Sequence, residues 1–211
     1  AVTKRKIIVC GPRPKALVVG VDLAVELLVT GLAQKRVPYV SIDTTFMNRK
    51  ARAGSFSCLR AVETMLVVFR VWRWMPFCKI FYSTMSTSSL GFIRDYLTVG
   101  FAKLLRRRTI LHLHGGGFGH FYRHSRPWLQ RLIITNLKRT DTIIVLGELL
   151  KDQFYCAGEF VNTKLLVIPN GLTHGVDEPV AAVKDLPKVS PIQLLYLSSL
   201  MPSKGFFDLL Q

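Results

Sequence analysis

A histidine followed by three glycines, His114-Gly115-Gly116-Gly117, is the stretch of this chain best suited to chemistry. The short apolar run from Thr109 to Leu113 precedes it and reads as a buried strand. Glycines permit positive φ and close backbone approach, so that strand should end in a tight loop. In a parallel α/β sheet the carboxyl ends of the strands are where ligands bind. His114 would then stand at a cleft rim as the candidate catalytic group, with Gly115, Gly116 and Gly117 lining it. A tight turn around a purely structural histidine fits the same residues.

Other chemistries find less support. Cys10, Cys58, Cys78 and Cys156 are far apart and form no metal-type pair. The histidines are scattered, so no metal site is expected. Cys10 and Cys78 lie in or beside apolar runs, as buried free thiols do, which fits a reducing cytoplasm. No G-x-G-x-x-G occurs, so a dinucleotide fingerprint is missing. His-Gly-Gly-Gly-Phe also resembles the oxyanion-hole motif of lipase-like α/β-hydrolases, which need a G-x-S-x-G elbow. Ser89 and Ser203 have only the downstream glycine, and no serine has both.

The net charge of +16 is unevenly placed. Residues 1–140 hold 24 Lys and Arg against 5 Asp and Glu; the remainder holds 5 against 8. The partner of the first part should be a polyanion or an anionic membrane surface. Nucleic acid is disfavoured, because the aromatic and metal signatures of modules that read it are missing. Arg70, Trp72, Arg73 and Trp74 close one amphipathic stretch, and Arg106, Arg107 and Arg108 close another. Together they are the candidate membrane face, since Trp with Arg suits the interface. No apolar run approaches the ~20 residues of a membrane span, and the basic start of the chain lacks signal-peptide features. The expected location is cytoplasmic, peripheral on the inner face of the membrane.

The elements that would position these residues alternate strand and helix. Strands are expected at 4–10, 39–42, 79–83, 109–113, 141–146, 164–168 and 192–197. Leu23, Leu27, Val29 and Leu32 predict one helix. Leu59, Val62, Met65, Leu66, Phe69 and Trp72 predict a second, its stripe facing either the core or a membrane. Residues 92–105 and 129–137 predict two more, 118–122 continue the glycine loop, and 148–154 open a further helix. The alternation implies an α/β fold with a doubly wound, Rossmann-like parallel sheet. Three prolines and no hydrophobic period mark 173–191 as a linker.

With the pieces in order, the chain resembles the family 4 retaining glycosyltransferases of the GT-B fold. Three stretches carry the resemblance: Gly11-Pro-x-Pro…Val19-Gly20; Asp141-x-Ile-Ile-Val-Leu-Gly-Glu148 with Val167-Ile-Pro-Asn-Gly171; and Leu195-Tyr-Leu-Ser-Ser-Leu-Met-Pro-Ser-Lys-Gly205. The resemblance implies an N-terminal acceptor domain over 1–172 and the start of a donor-nucleotide domain over 192–211. It places Gly20 near the donor diphosphate, His114 at the active site, and Lys204 on the leaving diphosphate. Val19 stands where the family usually has a second glycine, and Ser199 where it has an arginine, so Arg13 becomes a candidate substitute cation. It further implies a nucleotide-sugar donor, a lipid-linked or polysaccharide-precursor acceptor and no metal or other cofactor. The family's donor-side carboxylates do not occur in residues 1–211, which alone are therefore expected to be inactive. The alternatives are a non-enzymatic peripheral-membrane or polyanion-binding module and, behind it, the α/β-hydrolase.

Overall fold

Six short runs rich in β-branched and aliphatic residues become the strands of one parallel sheet, in the order β2-β1-β3-β4-β5-β6. They are β1 (Lys6–Gly11), β2 (Tyr39–Asp43), β3 (Cys78–Thr84), β4 (Arg108–Leu113), β5 (Thr142–Val145) and β6 (Lys164–Val167). A computed structural model describes residues 6–14, 20–45, 58–158, 163–171 and 207 of the 211. The helices are α1 (Gly20–Gln34), α2 (Cys58–Trp74), α3 (Ser89–Leu104), α4 (Phe118–Arg123) and α5 (Pro127–Arg139), with a 3-10 segment at Glu148–Ala157. The expected α/β, doubly wound, Rossmann-like parallel sheet is what forms. The order reverses between β1 and β3, the place where such sheets open a crevice at their carboxyl ends.

The pleat sorts each strand between two cores. Ile8, Cys10, Phe81, Leu111, Leu113, Ile143 and Val145 join α2, α3 and α5 in the larger one. Val9 and Tyr82 join Val25 and Val29 of α1 in the smaller. Gly11 brings α1 close: a Cβ there would sit 2.8 Å from Val25 Cγ2 and 3.0 Å from Thr84 Cγ2. At the amino end of the sheet Asp141 ties three elements. It accepts from Lys103 Nζ at 2.7 Å, from the Thr109 N–H at 2.8 Å and from Thr109 Oγ1 at 2.9 Å.

Several faces differ from expectation. α1 buries Val25 and Val29, not Leu23, which is exposed. α2 buries Thr64, Val67, Val68 and Val71, so Leu59, Val62, Met65, Leu66 and Phe69 face solvent and the core-facing reading of that stripe fails. The inner face is all β-branched, and Thr64 satisfies its hydroxyl on the Arg60 carbonyl at 2.7 Å. The aromatic continuation of the glycine loop is itself the helix α4, whose first residue Phe118 stacks on Phe154 at 4.5 Å. The linker at 173–191 and the strand expected at 192–197 lie outside the described residues, as do Ser199 and Lys204.

Candidate active-site rim

β4 delivers two histidines, not one, to the carboxyl end of the sheet. His112 and His114 are two residues apart, so the strand pleat sends them to the same side. Their rings lie 3.8 Å apart at 32°. Tyr82 on β3 comes from the neighbouring strand and places its hydroxyl 2.7 Å from His112 Nδ1. The nitrogens left over are unusual. His112 Nε2, His114 Nδ1 and His114 Nε2 are all buried without a hydrogen-bond partner. A buried polar atom left unpaired costs about 1–3 kcal/mol.

Burial sets the charge state of the pair. It pushes His112 down to about 3, helped by the His114 ring beside it, and His114 down to about 4. Both imidazoles are therefore neutral at pH 7. Burial also pushes the Tyr82 phenol up, so it stays protonated and able to donate. The chemistry on offer is hydrogen bonding by neutral rings. Cys10, under the same end of the sheet, is no thiolate, because burial lifts it to about 11.

The glycine loop is held from a distance. Gln153, on the 3-10 segment, accepts from the Phe118 N–H at 3.0 Å and donates to the Gly115 carbonyl at 3.3 Å. Gly115 has φ +152°, which only glycine adopts readily. A Cβ at Gly116 would meet nothing within 4 Å, so open space lies over the backbone there. The neighbouring loop after β3 approaches, with Thr87 Oγ1 4.0 Å from a Cβ built at Gly117. That loop is pinned by Asp95, which accepts the Ser86 N–H at 2.8 Å and forms a buried ion pair with Arg94 at 2.7 Å.

The remaining candidates separate into groups. Arg13 follows β1 on the same rim, but its guanidinium lies 2.9 Å from Glu26, and its backbone N–H is held by Asp43 and Thr45. Gly20 opens α1 and is exposed. Arg106, Arg107 and Arg108 lie at the amino end of β4, roughly 20 Å from His114 along a six-residue strand. Arg107 donates to the Pro76 carbonyl at 2.8 Å. Arg70 and Arg73 are exposed on α2. Trp72 is half-buried against Phe101, and Trp74 lies under Lys6 Nζ at 4.9 Å. The rim and the arginine cluster are thus at opposite ends of the sheet. Among the described residues no group of three or more His, Cys, Asp or Glu could hold a metal ion.

His112, Tyr82 and Gln153 are the rim residues that the sequence reading missed. Alternation along β4 carries a signal for His112; nothing local marks Gln153.

No family model matches the chain, and no curated protein matches it. Among solved structures it is similar to Anabaena Alr3699/HepE. To the crystal structure in complex with UDP and glucose the identity is 15% and the TM-score 0.47, covering 80% of this chain and 45% of that one. To the complex with UDP-glucose the identity is 15% and the TM-score 0.46, covering 79% and 44%. The chain spans less than half the length of these structures.

Proposed function

We propose that the chain supplies the acceptor side of a retaining glycosyltransferase that uses a nucleotide-sugar donor. One observation carries the reading. Three neutral, buried imidazole nitrogens without protein partners stand beside an open glycine backbone, next to the switch point of the sheet. Such a rim suits a hydroxyl-rich ligand, whose O–H groups both donate and accept, better than an anion. In the reaction proposed, the bond from the anomeric carbon to the diphosphate breaks and a bond to an acceptor oxygen forms on the same face. The acceptor proton leaves with the diphosphate. His114 hydrogen-bonds the donor sugar as charge develops and does not itself transfer a proton. The resemblance implies Lys204, and separately backbone N–H groups near Gly20, as neutralising groups, with Ser199 standing where the family has an arginine and no metal required. The acceptor is a saccharide precursor or its lipid-linked form.

The test joins residues 1–211, expected to be inactive alone, to a GT-B donor domain and incubates the fusion with labelled UDP-glucose, the nucleotide sugar of the HepE complex, and with other nucleotide sugars, using a saccharide or lipid-extract acceptor; residues 1–211 by themselves should give no transfer. Transfer that persists in EDTA and falls about a hundredfold or more in His114→Ala is the expected result. Transfer that is indifferent to His114→Ala, or that needs an added divalent cation, overturns the corresponding part.

A further inference from the structure

α2 is apolar on two opposite sides. One is buried by the sheet and α3 through Thr64, Val67, Val68 and Val71. On the other, Leu59, Val62, Leu66 and Phe69 are 56, 55, 50 and 58% exposed, and Met65 is also exposed. Spacings of three and four put these five on a single stripe roughly 15 Å long. Single exposed apolar residues need no explanation, whereas a contiguous stripe marks an interaction surface.

Charge decides the partner. Arg73 continues the line of the stripe, four residues after Phe69 and seven after Leu66, and Arg70 flanks it; both are exposed. Glu63, the only acid on α2, is half-buried. Lys79 and Arg106, exposed, lie at the same end of the sheet. A second copy of the chain would bring another net +16 against the first, which opposes self-pairing. An anionic lipid surface satisfies both the stripe and the cations. The helix cannot cross a bilayer, since its 17 residues include Arg60, Glu63, Arg70 and Arg73, and no helix among the described residues is long and apolar enough. It must lie flat.

We propose that the outer face of α2 docks in the plane of an anionic bilayer, with Leu59, Val62, Met65, Leu66 and Phe69 among the acyl chains and Arg70 and Arg73 at the headgroup phosphates. This binding is independent of the transfer reaction. The apolar stripe carries it, with Trp72 packed between Phe69 and Phe101 and Trp74 under Lys6.

The experiment is flotation with vesicles of phosphatidylcholine, alone or mixed with phosphatidylglycerol. The protein should float with the mixed vesicles and release as salt is raised. The Val62→Ser/Leu66→Ser/Phe69→Ser variant should bind about tenfold or more weakly. Arg70→Gln/Arg73→Gln should lose the preference for phosphatidylglycerol. Because these positions are exposed, the variants should melt as the parent does. A second readout does not depend on them: an environment-sensitive dye on Cys58, which is exposed at the start of the stripe, in a Cys156→Ser background. Its emission should shift to the blue only with mixed vesicles. Unchanged flotation of the triple variant, a dye indifferent to vesicles, or a solution dimer that the triple variant dissolves overturns the proposal.

Discussion

His112 in β4 and His114 just past its end are two residues apart and share a side of the sheet, and what distinguishes them is their partners. His112 is anchored through Nδ1 by Tyr82, while His114 stacks on His112 and keeps both nitrogens unused. His112 is thus a positioning residue beneath His114, the half-buried end of the pair. Gln153 does the same for the backbone, bridging Gly115 and Phe118 with one amide. Gln153→Ala removes an acceptor and a donor from a half-buried loop, which should cost about 1–2 kcal/mol. Hydrogen exchange at the Phe118 amide should quicken while strand amides in β1 keep their protection. Equal quickening in β1 would mean a global effect and would remove Gln153 from the loop's support. That glutamine was not legible in the sequence, because its partners are 35 and 38 positions away and no pattern links them. His114 was legible because glycines announce a strand end. His112 needed the extra step of reading the strand's alternation through to its last residue.

At the scale of elements, the strands were the legible part. Buried parallel strands are short apolar runs between turn residues, and those runs bounded the six strands to within two residues or so. Helix faces were harder. In α1 and α2 the apolar residues occupy more than one side, so spacing alone did not say which side meets the sheet. In α1 it is Val25 and Val29 that pack on the sheet, and Gly11 lets Val25 come close. The contact makes a prediction: Gly11→Ala places a methyl 2.8 Å from Val25 Cγ2 and 3.0 Å from Thr84 Cγ2. α1 must shift or rotate, at a cost of about 1–3 kcal/mol by urea unfolding. A further Val25→Ala change should recover part of that loss, since it removes the nearer clash. Failure of the second change to recover any stability would show that α1 does not rest on β1 at this point. α4 was read as loop because glycine and aromatic residues dominate it, yet a short helix forms there, with Phe118 stacked on Phe154 and its N–H held by Gln153.

The whole molecule responds to pH through the same few groups. His112 and His114 titrate at about 3 and about 4 when folded, against about 6.5 in the unfolded chain. Between those values the unfolded chain binds protons that the folded chain refuses, so stability is complete above about pH 6.5 and falls as pH drops towards 4. Asp141 acts in the same direction at lower pH. Burial works against its charge, but the Lys103 and Thr109 hydrogen bonds outweigh it and hold the carboxyl below its usual range. That contribution is present above about pH 4 and is lost as pH falls through the folded value. The slope is at most about 1.4 kcal/mol per pH unit for each histidine, and less to the extent that water reaches the rings. Urea midpoints measured from about pH 8 to about pH 5 should therefore fall steadily on the acid side. His114→Gln, which cannot titrate, should flatten the fall without changing the alkaline plateau by more than the loss of ring contact. An acid slope identical in His114→Gln and the parent would mean that the ring is solvated and charges freely. The rim would then carry charge in mild acid and would no longer favour hydroxyl groups over anions.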